Sequence, residues 1–378
     1  MNSRRVRVLH VIDSLNLGGA QAVLINLIRY GDKSRFEFEA ATMYGHGVYW
    51  DKLDELGVPV HSLSFDARVP AYVPRLAWLF LTRRYDIVHT HLIGANVIAK
   101  PLAAICGVPI RINHDHCNDK PADPRRWVPA VDKLTNRLAT HLIAVSESIR
   151  EYAVKDEEMP ADKVSTIYNG IDLDIYRPRP EARVAARARL QLPPDAFVVA
   201  GVGRLSSQKN FTLFLEVAAA VLTRHPRAFF LIAGTGPQDH MLREQARRLG
   251  IEFRLRFLGY VSAMAELYPA IDMLLLTSLY EGLPITILEA MATGTVIVSS
   301  RLDGVQEILE DGLDCALAPS GDAAAFTARL CQLIDQPQLA AQYAHAALQK
   351  VRATYSAEAM TRAVEAVYTK YLDARADA

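Results

Sequence analysis

YRPRPEARVAARARLQLPPDA, residues 176 to 196, interrupts a pattern that runs before it and starts again after it. Prolines at 178, 180, 193 and 194 bracket a basic helical stretch, and proline continues neither a helix interior nor a central strand. Upstream, short β-branched runs alternate with longer helical ones: RVRVLHVI then QAVLINLIRYG, DIVHTHL then GANVIAKPLAAICG, THLIAVS then ESIREYAVK. Downstream the alternation restarts with FVVAGVG, the helical FTLFLEVAAAVL, RAFFLIAG, a helix near QDHMLREQARRLG, RLRFLG and DMLLLTS. Near-continuous apolar strands joined by helices predict parallel sheets covered on both faces, so the class is α/β. A chain of 378 residues exceeds the roughly 250–300 residues at which one core stops growing. Two domains are therefore expected, 1–178 and 179–355, with the break as the joint.

Composition excludes several classes. The 42 basic and 42 acidic residues balance, so no global field gathers nucleic acid. Hydrophobic content of 51% beside 22% charged residues is that of a globular protein rather than a disordered one. Cys106, Cys117, Cys315 and Cys331 form no CxxC pair and no dense disulfide framework, which points to a reducing, cytoplasmic location and to cysteines without a chemical task. Asp13 ends the first apolar run too early for a secretory leader, and stretches such as LAWLFL at 76–81 fall short of the roughly 20 residues a spanning helix needs.

In an open parallel sheet, ligands bind beyond the carboxyl ends of the strands. In the first half those ends carry Asp13 to Gly19, His89 and His91, His114 to His116, and Ser146; in the second half, Gly203-Arg204, Gly234-Thr235-Gly236, and Ser278 to Gly282. Polar and glycine residues thus collect at one end of each half, and a cleft between two facing sheets is expected.

LYEGLPITILEAMATG, 279–294, is the most informative of these ends. Pro284 suits the first helical position and Gly294 the residue past the last turn, predicting a helix over about 284–293. Glu281 then sits in the loop above that helix, and Glu289 inside it among Ile285, Ile287, Leu288, Ala290, Met291 and Ala292. A lone buried carboxylate costs several kcal/mol unless it is paired or hydrogen-bonded. Vicinal ribose hydroxyls satisfy that need, and so does an internal Arg or Lys. In GVGRLSSQKN, Arg204 and Lys209 leave a strand end and precede a helix, as diphosphate ligands do. GVGRLS and GTGPQD begin GxG without glycine or alanine at the sixth position, so a nicotinamide site is disfavoured. Gly18 and Gly19 permit close backbone approach at the first strand–helix junction, although a plain tight turn explains them as well.

The pairs His89/His91 and His114/His116 place two imidazoles each on one strand face, compatible with a metal, a structural role or a substrate contact; Asp115 and Asp119 suit turn chemistry. No supporting EXXH or cysteine spacing accompanies them, and no metal is expected. YNGID, 168–172, reads first as a turn.

In order along the chain, GGAQ, HTHL, NHDH, AVSES, YNGID, GVGRLSSQKN, IAGTGP, FLGYV and EGLPITILEAMATGTVIV resemble the motif series of the retaining GT-B glycosyltransferases of family GT4. The resemblance covers roughly residues 8 to 320, and its most specific element is the Glu281/Glu289 pair accompanied by Arg204 and Lys209. It implies two Rossmann-like domains, an N-terminal acceptor domain onto which a C-terminal helix of about 356–378 packs back, and a C-terminal donor domain. It implies a sugar donor carried on a nucleoside diphosphate, a glycan or lipid-linked acceptor in polysaccharide or glycoconjugate synthesis, and no cofactor. By the same resemblance Arg204 and Lys209 contact the diphosphate, Glu289 the ribose, and Glu281 the donor sugar. Gly18, Gly19, Gly234, Gly282 and Leu283 complete the donor site. His116 matches the family's active-site histidine, with His91, His114 and Asn169 as further sugar or acceptor contacts. Gln21 and Asn210 depart from the Glu and Gly common at their positions. A two-domain epimerase and a non-catalytic sugar-nucleotide-binding subunit are the alternatives. Segments 69–86 and 125–137 combine apolar bulk with Arg and Lys, the composition of a peripheral membrane contact and also of a core helix with a solvated end.

Overall fold

The computed structural model describes residues 4–16, 18–63, 72–116, 127–193 and 195–377, so Cys117, Asp119 and the first residues of both membrane-contact segments lie outside the described residues. The chain divides into two compact units, Met1–Gly170 with Ala357–Ala378, and Ile171–Ser356. The proline-rich joint suggested a change of domain at 178/179; the chain instead changes unit at Gly170/Ile171. Ile171 donates its N–H to the Tyr355 carbonyl (2.9 Å) and pairs with Ser356, and both partners belong to the second unit.

Unit 1 holds seven parallel strands: β1 Val6–Ile12, β2 Phe36–Thr42, β3 Val60–Ser62, β4 Ile87–His91, β5 Ile110–Asp115, β6 His141–Ala144 and β7 Val164–Thr166, in the order β3-β2-β1-β4-β5-β6-β7. Period-2 alternation sorts their side chains. Leu9, Val11 and Val88 pack with Leu76, Phe80, Ala95 and Ala99 of helices Tyr72–Arg83 and Ile93–Ile105. The opposite face, with His10, His89 and His114, is covered in part by helix Ala357–Ala376, whose Tyr368 meets Phe36 and His89. That helix also packs on helix Gly19–Tyr30.

Unit 2 repeats the scheme with β8 Phe197–Val202, β9 Ala228–Ala233, β10 Leu255–Gly259, β11 Met273–Leu276, β12 Val296–Ser300 and β13 Ala316–Ala318, in the order β10-β9-β8-β11-β12-β13. β9 and β11 are buried at every residue, as strands covered on both faces must be. The order reverses direction between β1 and β4 in unit 1 and between β8 and β11 in unit 2, the two topological switch points at which such sheets bind ligands. Helix Ile285–Thr293 follows β11. Its Ile287 and Leu288 are fully buried, each contributing about 1.5–3 kcal/mol of apolar burial. No described helix is long and apolar enough to cross a membrane.

A candidate donor site and a histidine ladder

At the unit 2 switch point, two loops are sewn together. Leu279 N–H donates to the Gln208 carbonyl (2.8 Å), the Gln208 side-chain amide to the Tyr280 carbonyl (3.1 Å), and the Thr277 hydroxyl to the carbonyls of Lys209 and Asn210 (3.0 Å each). Asn210 ends a short 3₁₀ turn in the left-handed region (φ 49°, ψ 48°). This accounts for asparagine where glycine is common, since it is among the few side-chain-bearing residues that enter that region readily.

The sewn loops bring Lys209 and Glu281 together. Lys209 Nζ lies 2.5 Å from Glu281 Oε1, and the Ser278 hydroxyl donates to the same oxygen at 2.6 Å. The Glu281 side chain is 7% exposed and that of Lys209 16%, so each ion compensates the other's lost hydration. Arg204, after β8, is exposed, and its side chain makes no hydrogen bond or ion pair with the described residues.

Glu289 stands one turn into helix Ile285–Thr293 and is buried at 7% exposure. Its Oε2 accepts from the Tyr268 hydroxyl at 2.9 Å, so a phenol is one of the groups that satisfy it. Burial first, and then the neighbouring Glu289 carboxylate, pushes the Tyr268 phenol well above its ordinary range, so it stays a donor. Pro284, expected at the first helical position, is instead the N-cap with extended ψ of 118°, and the helix starts one residue later at Ile285, while Gly294 closes it left-handed (φ 72°) as its sequence position suggests. The N-cap Pro284 offers no side-chain cap and the first turn holds no acid, which favours an anion at its amides.

Two glycines here answer to packing. A Cβ on Gly234, whose φ is 147°, lies 1.8 Å from the Gly203 carbonyl oxygen, and one on Gly304 lies 1.7 Å from that of Gly282. Gly304 thus fixes the loop carrying Glu281, Gly282 and the buried Leu283.

In unit 1, β1 is followed by Asp13, whose carboxylate accepts from the N–H groups of Gly94 (3.3 Å) and Ala95 (2.5 Å) and so caps helix Ile93–Ile105. Leu92, just after His91, holds φ 69° and ψ 158°, a conformation strained for any residue but glycine. Gly18 and Gly19 open helix Gly19–Tyr30 and are exposed; the Gln21 carboxamide lies over Gly18 and donates to the Ser14 carbonyl at 2.9 Å. Gly170 is held by Asn26, whose amide donates to its carbonyl (3.2 Å), and neither Gly170 nor the buried Asn169 has positive φ. YNGID is therefore the crossing between units rather than a left-handed Asn-Gly turn.

Both HxH pairs, joined by His10 of β1, form a ladder on one sheet face. His10 Nδ1 meets His91 Nε2 at 3.0 Å, His91 Nδ1 meets His116 Nε2 at 3.0 Å, His89 Nε2 meets His114 Nδ1 at 3.2 Å, and His89 Nδ1 meets the Tyr368 hydroxyl at 2.5 Å. His89 stacks on His91 and His114 on His116, with centroids 4.4 and 4.3 Å apart. His10, His89, His91 and His114 are fully buried, and only His116 keeps partial exposure. Burial lowers all five pKa values, those of His10 and His116 to about 3, so the imidazoles are neutral at pH 7. His10/His89/His91 and His91/His114/His116 are each spaced to share a cation. Their nitrogens instead face one another at proton-sharing distances.

On the other face of β5, Asn113 donates to Asn136 (2.9 Å) and Asp115 accepts from Asn96 (3.2 Å), while the fully buried Lys100 lies on Asp132 and Asn136. Asp115, Asp132 and Glu157 also approach one another, with the Lys100 ammonium beside them. His10, Tyr268, Tyr368 and Gly304 are partners that sequence reasoning missed. Only His10 carried a visible sign, sharing the alternation of an otherwise apolar strand.

Comparison with known proteins completes the picture. Residues 17–175 match the family Glycosyltransferase Family 4 and residues 183–350 match Glycosyl transferases group 1. The chain is 29% identical over 268 residues, 69% of each chain, to UDP-Gal:alpha-D-GlcNAc-diphosphoundecaprenol alpha-1,3-galactosyltransferase of Escherichia coli. It is 28% identical over 345 residues, 86% of this chain and 78% of the other, to D-inositol 3-phosphate glycosyltransferase of Thermobispora bispora. Its fold superposes on Anabaena HepE, solved with UDP and glucose, with a TM-score of 0.88 at 23% identity over 97% of this chain and all of the other. With one glycosyltransferase domain in each half and the GT-B fold throughout, the chain is a glycosyltransferase.

Proposed function

We propose that this enzyme transfers a sugar, with retention at the anomeric carbon, from a nucleoside diphosphate to a glycan or lipid-linked acceptor in polysaccharide or glycoconjugate synthesis. The observation that carries the proposal is the Lys209–Glu281 pair at the unit 2 switch point, with the uncapped helix N-terminus and buried Glu289 beside it. A diphosphate competes with Glu281 for the Lys209 ammonium; Arg204, exposed and unpaired among the described residues, adds a second cation. Glu281, released from Lys209, accepts hydrogen bonds from donor-sugar hydroxyls, and the Glu289 oxygens accept from the ribose. Gly234, Gly282 and Leu283 shape the floor, and the family resemblance assigns a phosphate contact to the backbone amides of Gly18 and Gly19. As the sugar–phosphate bond breaks, negative charge grows on the leaving phosphate, where preorganised cations stabilise it by several kcal/mol. That assignment gives the charge to side chains and amides, a reaction without metal or cofactor. The family resemblance assigns His116 to the reacting sugar; His91 and His114 are fully buried against neighbouring imidazoles, and the buried Asn169 stays a candidate sugar contact. The diphosphoundecaprenol in the name of the Escherichia coli relative supports a lipid-linked acceptor.

We extend the reading to a peripheral contact of unit 1 with the cytoplasmic membrane face. Trp78 and Leu81, each 61% exposed, share helix Tyr72–Arg83 with exposed Arg75 and Arg83, while Leu76, Leu79 and Phe80 form the buried stripe. Such a face binds anionic lipid; co-sedimentation with anionic vesicles at low salt tests it, and a protein left in the supernatant removes it.

Thermal shift with UDP, GDP, ADP and NAD, on the wild type and Glu289→Ala, tests the donor site. Ligand at about a hundred times its Kd stabilises by roughly 2.7 kcal/mol. One nucleoside diphosphate should raise Tm, and the variant should lose that shift. A response to NAD alone overturns the proposal.

A further inference from the structure

The ladder contains two chains of hydrogen-bonded imidazoles. One runs Tyr368–His89–His114, the other His10–His91–His116. In the second chain, His91 uses both ring nitrogens, and the chain ends at two buried nitrogens without a partner among the described residues, His10 Nε2 and His116 Nδ1. A neutral imidazole has one N–H and one lone pair, so the three rings must point the same way. Either all carry hydrogen on Nδ1, with the spare N–H at His116 and the spare lone pair at His10, or all carry it on Nε2, with the ends exchanged. An orphaned buried N–H is rarer and more costly than an unused acceptor. His10 is fully buried in the middle of β1 and nothing can relieve it there, whereas His116 follows the end of β5 and keeps partial exposure.

We propose that His10 and His91 are positioning residues that lock His116 into the Nδ1–H tautomer, making it a neutral hydrogen-bond donor to a hydroxyl or phosphate oxygen of the ligand and barring it from acting as a base. The lone pair of His116 is turned inward onto His91 Nδ1–H, so no substrate proton can reach it without reversing the whole chain. His91 is thereby removed from the ligand contacts and acts through His116. The Tyr368–His89–His114 chain carries no such preference, because either direction leaves a donor unpartnered. The cluster is not read as a cation site. Its paired nitrogens lie 3.0–3.2 Å apart, and no carboxylate of the described residues bonds to any of the rings.

The inference rests on His116 facing the ligand, but its test does not. Long-range proton–nitrogen correlation on the full chain labelled at histidine, at neutral pH, reads which ring nitrogen of each histidine is protonated. His10, His91 and His116 should share the Nδ1–H pattern. In His91→Leu, His116 should lose it, with the signals of its protonated and bare nitrogens exchanging or averaging. His91→Gln, whose amide can accept from His10 and donate to His116, should restore it. His10→Leu, which frees His91 to reverse, serves as the second variant if His91→Leu does not fold. Nε2–H at His116 in the wild type, an unchanged His116 in both leucine variants, or a stoichiometric metal ion bound to the purified chain overturns the proposal. Failure of the transferase reading appears in the nucleotide panel and leaves the tautomers where they are.

Discussion

Unit 1 and unit 2 share one strand order and treat charge in opposite ways. In unit 2, the groups at the switch point are ions: Lys209 on Glu281, Arg204 exposed, Glu289 under a phenol. They sit in loops and at a helix start, where each partner can be exchanged for a ligand's. In unit 1, five imidazoles sit mainly within strands, neutral through burial, and spend their nitrogens on one another. The same scaffold thus yields charge that a phosphate can claim and uncharged donors with a fixed direction. Which one a switch point provides depends on whether the polar residues stand beyond the strand end or inside it.

The largest expected effect breaks the unit 2 side of this contrast. Lys209→Met removes one preorganised cation and strands a nearly buried carboxylate. Turnover of the donor should fall by roughly 10²–10³, the usual effect of deleting one such donor. A variant retaining wild-type kcat shows that Lys209 only holds Glu281.

Acid separates the units next. His10 has a pKa of about 3 in the fold against an ordinary 6.5, so protons bind the unfolded chain more readily between those values. Its stabilising effect is whole above pH 6.5 and is lost as pH falls toward 3, about 2 kcal/mol between pH 7 and pH 5. Lowered His89, His91 and His114 add in the same direction. Urea midpoints of the unit 1 transition should fall steeply from pH 7 to 5 while that of unit 2 stays nearly level; parallel curves for the two contradict the ladder's neutrality.

The smallest effect sharpens the loop argument. Asn210→Ala should cost about 1 kcal/mol because alanine enters the left-handed region reluctantly, whereas Asn210→Gly should stay near wild type. Urea denaturation resolves the difference, and equal losses show that the asparagine side chain matters more than its backbone.

Much of this was legible where the signals are local. The strand–helix alternation set both sheets, the helix at Glu147–Lys155 falls on ESIREYAVK, and Gly294 ends its helix as a C-terminal glycine should. Glu289 was recognisable because a helix period left it among apolar neighbours. What escaped was set by distance along the chain. Tyr268 reaches Glu289 from 21 residues away, and Tyr368 reaches His89 from 279. His10 counts only because β1 pairs with β4 in the register that sets His10 beside His89. The boundary at Gly170/Ile171 escaped for a related reason: prolines mark where regular structure stops, but Tyr355 and Ser356 decide which unit a residue joins.

Helix Ala357–Ala376 has one more consequence, for synthesis on the ribosome. Unit 1 begins the chain and receives its last 20-residue helix only after all of unit 2 has been made. During translation, the half that emerges first therefore waits longest for its missing cover, with the histidine face and the groove for Tyr368 open to water. Unit 2, continuous in sequence, has every residue made before the helix that completes unit 1, so the half begun first is the last to have all its parts.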